Sequence, residues 1–167
     1  MEFRDLNGYY DELVSLRRHI HKNPEPSFNE TETTNYICRY LDKFNIDYKR
    51  LPNTGLIARI DTGVPGKCVA FRADIDALKI EEDCSDGRTY GSVNKGVMHA
   101  CGHDSHTAIL MIAARYVKEH ISQFKGKIVM IFQPAEELPP GGAIDIINGH
   151  FLDDLGIDEI YALHCDP

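Results

Sequence analysis

Apolar positions in the first part of the chain recur with helical spacing. Leu13, Leu16 and Ile20 share one face of a segment over residues 9–21, and Asn23-Pro24 ends it. A second helix is predicted over residues 30–44, burying Tyr36, Ile37, Tyr40 and Leu41. The pattern then shortens. Residues 56–60 read as a strand, 61–66 as a turn, and 68–71 as a short strand buried on both faces. These two strands are expected to pair as a hairpin. Helical spacing returns at Ile109, Ile112, Ala113, Tyr116, Val117 and Ile121, so a third helix follows about Asp104, its expected N-cap. Residues 128–132 are the clearest buried strand, 143–147 a short helix and 160–163 a last strand. Strands alternating with helices predict a layered α/β fold with a mixed, largely parallel sheet.

Three of the apolar strands run directly into ionisable residues. Cys68-Val69-Ala70-Phe71 leads to Arg72, Asp74 and Asp76; residues 128–132 lead to Gln133, Glu136 and Glu137; residues 160–163 lead to His164, Cys165 and Asp166. Ligands of open α/β sheets bind beyond the carboxyl ends of the strands, so three such strands running the same way would converge on one crevice. A fourth cluster, His99-Ala100-Cys101-Gly102-His103-Asp104-Ser105-His106, stands just before the third helix. Gly102 would let Cys101 and His103 bend toward one centre. Thiolate, imidazole and carboxylate together suit zinc or manganese. Adjacent Glu136 and Glu137 would point apart, one toward a metal and the other toward substrate as a base.

Composition narrows the function classes. The chain has 167 residues, 43% of them apolar, enough for one domain with its own core. Eighteen basic and 26 acidic residues give a net charge of −8, which argues against nucleic-acid or anionic-membrane partners. Met1-Glu2-Phe3-Arg4-Asp5 lacks the apolar core of a secretion signal, and no apolar run is long enough to span a bilayer. Five scattered cysteines then point to reduced thiols in the cytoplasm.

Each site residue also has a plain structural reading. A lone Glu-Glu is usually a solvated turn, Asp74 and Asp76 suit turn caps, and His164 alone suits a core histidine bonded to a carbonyl. Cys38, Cys68 and Cys84 read as packing residues, and Cys165 stays outside the metal shell. His19 and His21 read as solvated, and Glu30 and Glu32 as decoration of a helix start.

Five motifs in one order change that balance. Residues 18–25 (Arg-His-Ile-His-Lys-Asn-Pro-Glu), 72–78 (Arg-Ala-Asp-Ile-Asp-Ala-Leu), 98–104 (Met-His-Ala-Cys-Gly-His-Asp), 132–137 (Phe-Gln-Pro-Ala-Glu-Glu) and 162–164 (Ala-Leu-His) together resemble the aminoacylase, hippurate hydrolase and auxin-conjugate hydrolase branch of metallopeptidase family 20. The resemblance implies a three-layer αβα sandwich of the zinc-exopeptidase kind and hydrolysis of N-acyl-amino acids or similar small amides. It implies two divalent ions, zinc or manganese, with Cys101, His103, Glu137 and His164 as metal ligands. Glu136 is implied as the general base that deprotonates the attacking water and later protonates the leaving amine. Asp74 is implied as the acid that orients a ligand from behind.

The resemblance also sets limits. Ser105 stands where glycine is usual and Lys79 where proline is usual, which bears on substrate preference. The resemblance makes residues 1–167 the amino-terminal portion of the catalytic domain. The lid domain, through which full-length relatives dimerise, and a later segment with one more histidine ligand are expected to be absent. One alternative is therefore an inactive remnant, or half of a split enzyme, that holds a single metal weakly. Another is a thiol hydrolase with Cys101 as nucleophile and a histidine as base, which leaves Glu136 and Glu137 without a role.

Overall fold

The computed structural model describes residues 3–165. Asp166, expected beside His164 and Cys165, and the first two residues lie outside the described residues. A 3₁₀ segment (Phe3–Tyr9) leads into α1 (Tyr10–Lys22), followed by α2 (Thr31–Lys43), β1 (Asp47–Arg50), β2 (Leu56–Asp61) and β3 (Cys68–Asp74). After a long loop come α3 (His103–Glu119), β4 (Lys127–Gln133), α4 (Gly142–Asn148) and β5 (Glu159–Ala162).

The five strands form one sheet in the order β1-β2-β4-β3-β5. β3 runs parallel to both β4 and β5, while β2 is antiparallel to β1 and β4. Four strands therefore point one way and β2 alone is reversed, the mixed, largely parallel sheet the sequence predicts. Helices α1, α2 and α3 bury Leu16, Ile37, Leu41 and Met111 with Leu56, Ala58, Met130 and Phe132 on one face. On the other face, Ile146 of α4 packs with Ile57, Ala70, Val129 and Ile131. That alternation along β2 and β4 makes three layers.

The expected hairpin does not form. β4, almost wholly buried, is inserted between β2 and β3. The connection from β2 to β3 crosses the start of β4: Thr62 N donates to the Gly126 carbonyl and Gly126 N to the Val64 carbonyl. Gly126 permits this crossing, because a Cβ there would lie 2.0 Å from the Lys67 carbonyl oxygen. The most apolar strand takes the centre, where both faces are covered, and sequence adjacency does not outweigh that. Nor is β3 buried on both faces: Phe71 is 40% exposed and stacks on Tyr161 of the edge strand β5. Among the described residues no helix is long and apolar enough to cross a membrane.

Candidate metal centre

The parallel strands β3, β4 and β5 end on the same edge of the sheet, with Asp74 opposite Gln133 and Arg72 opposite Ala162. This edge carries the crevice. His103, the first residue of α3, stands at its centre and is 1% exposed. Gly102, just before it, has φ +82°, a conformation that glycine adopts freely and that turns Cys101 and His103 toward the same side. The Cys101 sulfur lies 3.2 Å from His164 Nε2. His103 Nε2 lies 3.9 Å from a carboxylate oxygen of Glu136 and 3.9 Å from one of Glu137. Donor atoms of Cys101, His103 and His164 fall within 4.8 Å of one another, as do those of His103, Glu136 and Glu137. The four expected ligands and the expected base therefore meet around one imidazole.

The residue behind His103 is Asp76, not Asp74. His103 Nδ1 lies 3.0 Å from the Asp76 carbonyl oxygen and 3.1 Å from its carboxylate. The other carboxylate oxygen of Asp76 accepts from Ser27 Oγ at 2.7 Å and from the Glu137 backbone N–H at 3.0 Å. Asp76 thus fixes both the imidazole and the backbone of Glu137, and leaves His103 Nε2 facing the crevice. Burial pushes its carboxyl up, but the bonds from His103, Glu137 and Ser27 outweigh burial and hold it low. Asp74 pairs with the Arg72 guanidinium, and its own oxygen reaches His103 and His106 within 4.8 Å.

Two atoms identify what the crevice lacks among protein groups. His103 Nε2 and Glu137 Oε1 are buried and have no hydrogen-bond partner. Buried polar atoms rarely go unpaired. The surrounding anions also raise one another: burial, Glu136 and Asp76 push the Asp74 carboxyl to about 6 against Arg72 and His103. Burial and Glu137 push the Cys101 thiol to about 11. A site with a thiol, several carboxylates and a bare imidazole nitrogen is short of positive charge, and a divalent cation fits it. The thiol-hydrolase alternative, with a histidine as base, leaves the Glu136 and Glu137 carboxylates gathered at His103 without a role.

Other residues differ from their sequence reading. His21 is 2% exposed, not solvated: its Nδ1 lies 2.7 Å from Asp104 and its Nε2 2.9 Å from Glu82. Asp104 is not a helix cap, since Gly102 holds that position; it is fully buried and also accepts from Arg17 Nε at 2.8 Å. Glu30 is fully buried rather than decorating α2. His106 is buried beside Asp74 and His103, with its Nε2 accepting from Cys165 N at 3.0 Å. His99 is buried with neither ring nitrogen paired, and burial lowers its pKa to about 4, so it is neutral.

The buried His21 predicts a pH dependence. The Asp104 hydrogen bond, helped by Glu82 and opposed by burial, raises its pKa above 6.5. A raised folded pKa contributes stability that is full below 6.5 and lost as pH rises through the folded value. For Asp104 and Glu82, burial pushes upward, but the His21 bonds and nearby positive charges outweigh it and lower both carboxyls. Their contribution is present above the ordinary carboxylate values and fades only in acid. Denaturant unfolding of the metal-free chain between about pH 6 and pH 9 should show stability falling with pH; His103, which burial lowers but Asp76 and Asp74 raise overall, contributes alongside His21, so His21→Gln should flatten that slope without abolishing it. Parallel curves for the two proteins would contradict the pairing.

The profile of Peptidase family M20/M25/M40 covers residues 70–167, more than half of the chain. The chain is 46% identical over 164 residues to an N-acetyl-L-cysteine deacetylase of Bacillus subtilis, covering 98% of this chain and 38% of that protein. It is 39% identical over 154 residues to an N-acyl-L-amino acid amidohydrolase of Geobacillus stearothermophilus, covering 92% and 40%. Among solved structures, a dinuclear metal binding peptidase of the M20 family from Bacillus subtilis superposes with a TM-score of 0.88 at 38% identity, over 96% of this chain and 44% of that one. The chain thus spans about two fifths of the length of these relatives. The chain belongs to Peptidase family M20/M25/M40.

Proposed function

We propose that these residues form the metal-holding part of a hydrolase that cleaves the amide bond of N-acyl-amino acids or related small amides. The observation that carries the reading is the bare His103 Nε2, buried and flanked by Cys101, His164, Glu136 and Glu137. The names of the relatives supply the substrate class. Cys101, His103, Glu137 and His164 would hold two divalent ions, zinc or manganese, which would polarise the scissile carbonyl and acidify water. Glu137 is 21% exposed at its side chain and Glu136 41%, so the first turns inward as a ligand and the second faces the open crevice as the base. A Glu136 oxygen takes a proton from the attacking water as the water oxygen bonds to the amide carbon. It returns that proton to nitrogen as the C–N bond breaks, releasing a carboxylic acid and an amine, and the acid's remaining proton passes to the amine to give carboxylate and ammonium. Asp76 and Asp74 hold the far side of the site, Asp76 by fixing the His103 ring. All five cysteines are free, which suits a reducing cytoplasm.

A second reading rests on the relatives' length and on β5, whose outer edge is unpaired among the described residues and whose last three residues are exposed. In it, a further polypeptide segment completes the site, supplies any dimer contact, and is needed for turnover. The chain alone then binds metal weakly and hydrolyses nothing. Robust hydrolysis of an N-acetyl amino acid by the purified chain would exclude this reading.

The role of Asp76 is directly testable. Asp76→Ala removes the carboxylate that faces His103 Nδ1, leaving only the backbone carbonyl there, and removes the acceptor of the Glu137 amide, so metal affinity should fall about 10–100-fold. Asp74→Ala should cost less, since Asp74 makes no hydrogen bond to a ligand side chain. Calorimetric titration with zinc ranks the two, and the reverse order would return the orienting role to Asp74.

A further inference from the structure

We infer that Glu30 is a positioning residue for the Glu136-Glu137 pair, acting through the backbone of Ala135. The inference rests on the proposed roles of that pair. Ala135 has φ +51°, a conformation in which side-chain-bearing residues are uncommon, and it is wholly buried. It sits just after β4 and Pro134, where the chain must turn from the sheet into the crevice. A flip there would redirect the two following side chains.

Three bonds fix the turn. Ala135 N donates to Glu30 Oε1 at 2.7 Å, the Ala135 carbonyl accepts from Gly142 N at 3.0 Å, and Glu137 N donates to Asp76. Glu30 is itself anchored: its second carboxylate oxygen accepts from Thr54 Oγ1 at 2.6 Å, and its carbonyl accepts from Thr34 N and Thr34 Oγ1. Thr34 Oγ1 in turn accepts from Gly55 N at 2.8 Å. A carboxylate buried this deeply is costly unless its hydrogen bonds are strong, and a bond from a backbone N–H to a carboxylate is of the strong kind. Glu30, 105 residues away in sequence, thus ties the start of α2 and the Thr54 turn to the one strained residue beside the reacting pair.

The test compares cobalt(II) binding to the purified wild-type chain, Glu30→Ala and Thr54→Val, each with a thermal melt. Thr54→Val removes the other partner of Glu30 and leaves the Ala135 bond in place. The expected result is at least tenfold weaker cobalt binding for Glu30→Ala, near-wild-type binding for Thr54→Val, and recovery in Glu30→Gln, which keeps an oxygen for Ala135 N. A folded Glu30→Ala that binds like wild type, or a Thr54→Val equally impaired, overturns the inference. Wild type that binds no cobalt overturns instead the metal function on which it rests. Should Glu30→Ala fail to fold, amide exchange in wild type decides. Ala135 N–H protected like the β4 amides supports the inference, and exchange at the rate of an exposed loop overturns it.

Discussion

Cys101→Ser and His103→Asn, made separately, should each lower divalent-metal affinity by more than about 100-fold, beyond the loss expected for a residue that only supports a ligand. His103 carries the larger burden, because it is common to the groupings with Cys101 and His164 and with Glu136 and Glu137. The other nitrogen of its ring faces the Asp76 carbonyl and carboxylate, which holds the ring with Nε2 toward the crevice. The Cys101 sulfur is the softest donor of the set, and its loss should weaken zinc more than manganese. Metal content after dialysis, with calorimetric titration of both ions, measures this. Wild-type stoichiometry in both variants would separate these residues from metal binding.

Glu136→Gln should act on turnover and leave metal in place. The substitution keeps the size of the side chain and removes its ability to take a proton. In whichever form of the protein hydrolyses an N-acyl amino acid, kcat should fall about 10²–10⁴-fold, the usual worth of a positioned general base. Metal affinity should stay near wild type, because the Glu136 side chain is 41% exposed and Glu137 is the inward carboxylate. Loss of metal with loss of turnover would exchange the roles of the two glutamates. Full turnover would remove Glu136 from the chemistry.

The strand ends were the most informative part of the sequence. Apolar runs that break into polar residues at Arg72, Gln133 and His164 place those residues on one sheet edge once the strands run parallel, and they do. Pairing was less legible. The 61–66 turn looks like a hairpin turn, yet β4 enters between β2 and β3 because the most apolar strand gains most from burial on both faces. β1 was invisible for the opposite reason: Asp47-Tyr48-Lys49-Arg50 is a polar edge strand with no apolar alternation to reveal it.

Within the site, residue types were legible and their connections were not. Asp74 and Asp76 look equivalent in sequence. Only the three-dimensional path of the chain beyond β3 brings Asp76, rather than Asp74, against His103 and Glu137. His21 reads as solvated and Glu30 as decoration of a helix start, but their partners Asp104 and Ala135 lie 83 and 105 residues away. A buried ionisable group is recognisable only through its partner, and partners this remote leave no local pattern.

Zinc-edge X-ray absorption on the zinc-loaded chain tests the shared centre most directly. The geometry requires one sulfur at about 2.3 Å in the same shell as nitrogen and oxygen donors at about 2.0–2.2 Å, with the sulfur absent in Cys101→Ser. A wild-type shell of oxygen and nitrogen alone, or one unchanged by removing Cys101, would mean that the loop before α3 and the strand-end carboxylates do not hold the same metal.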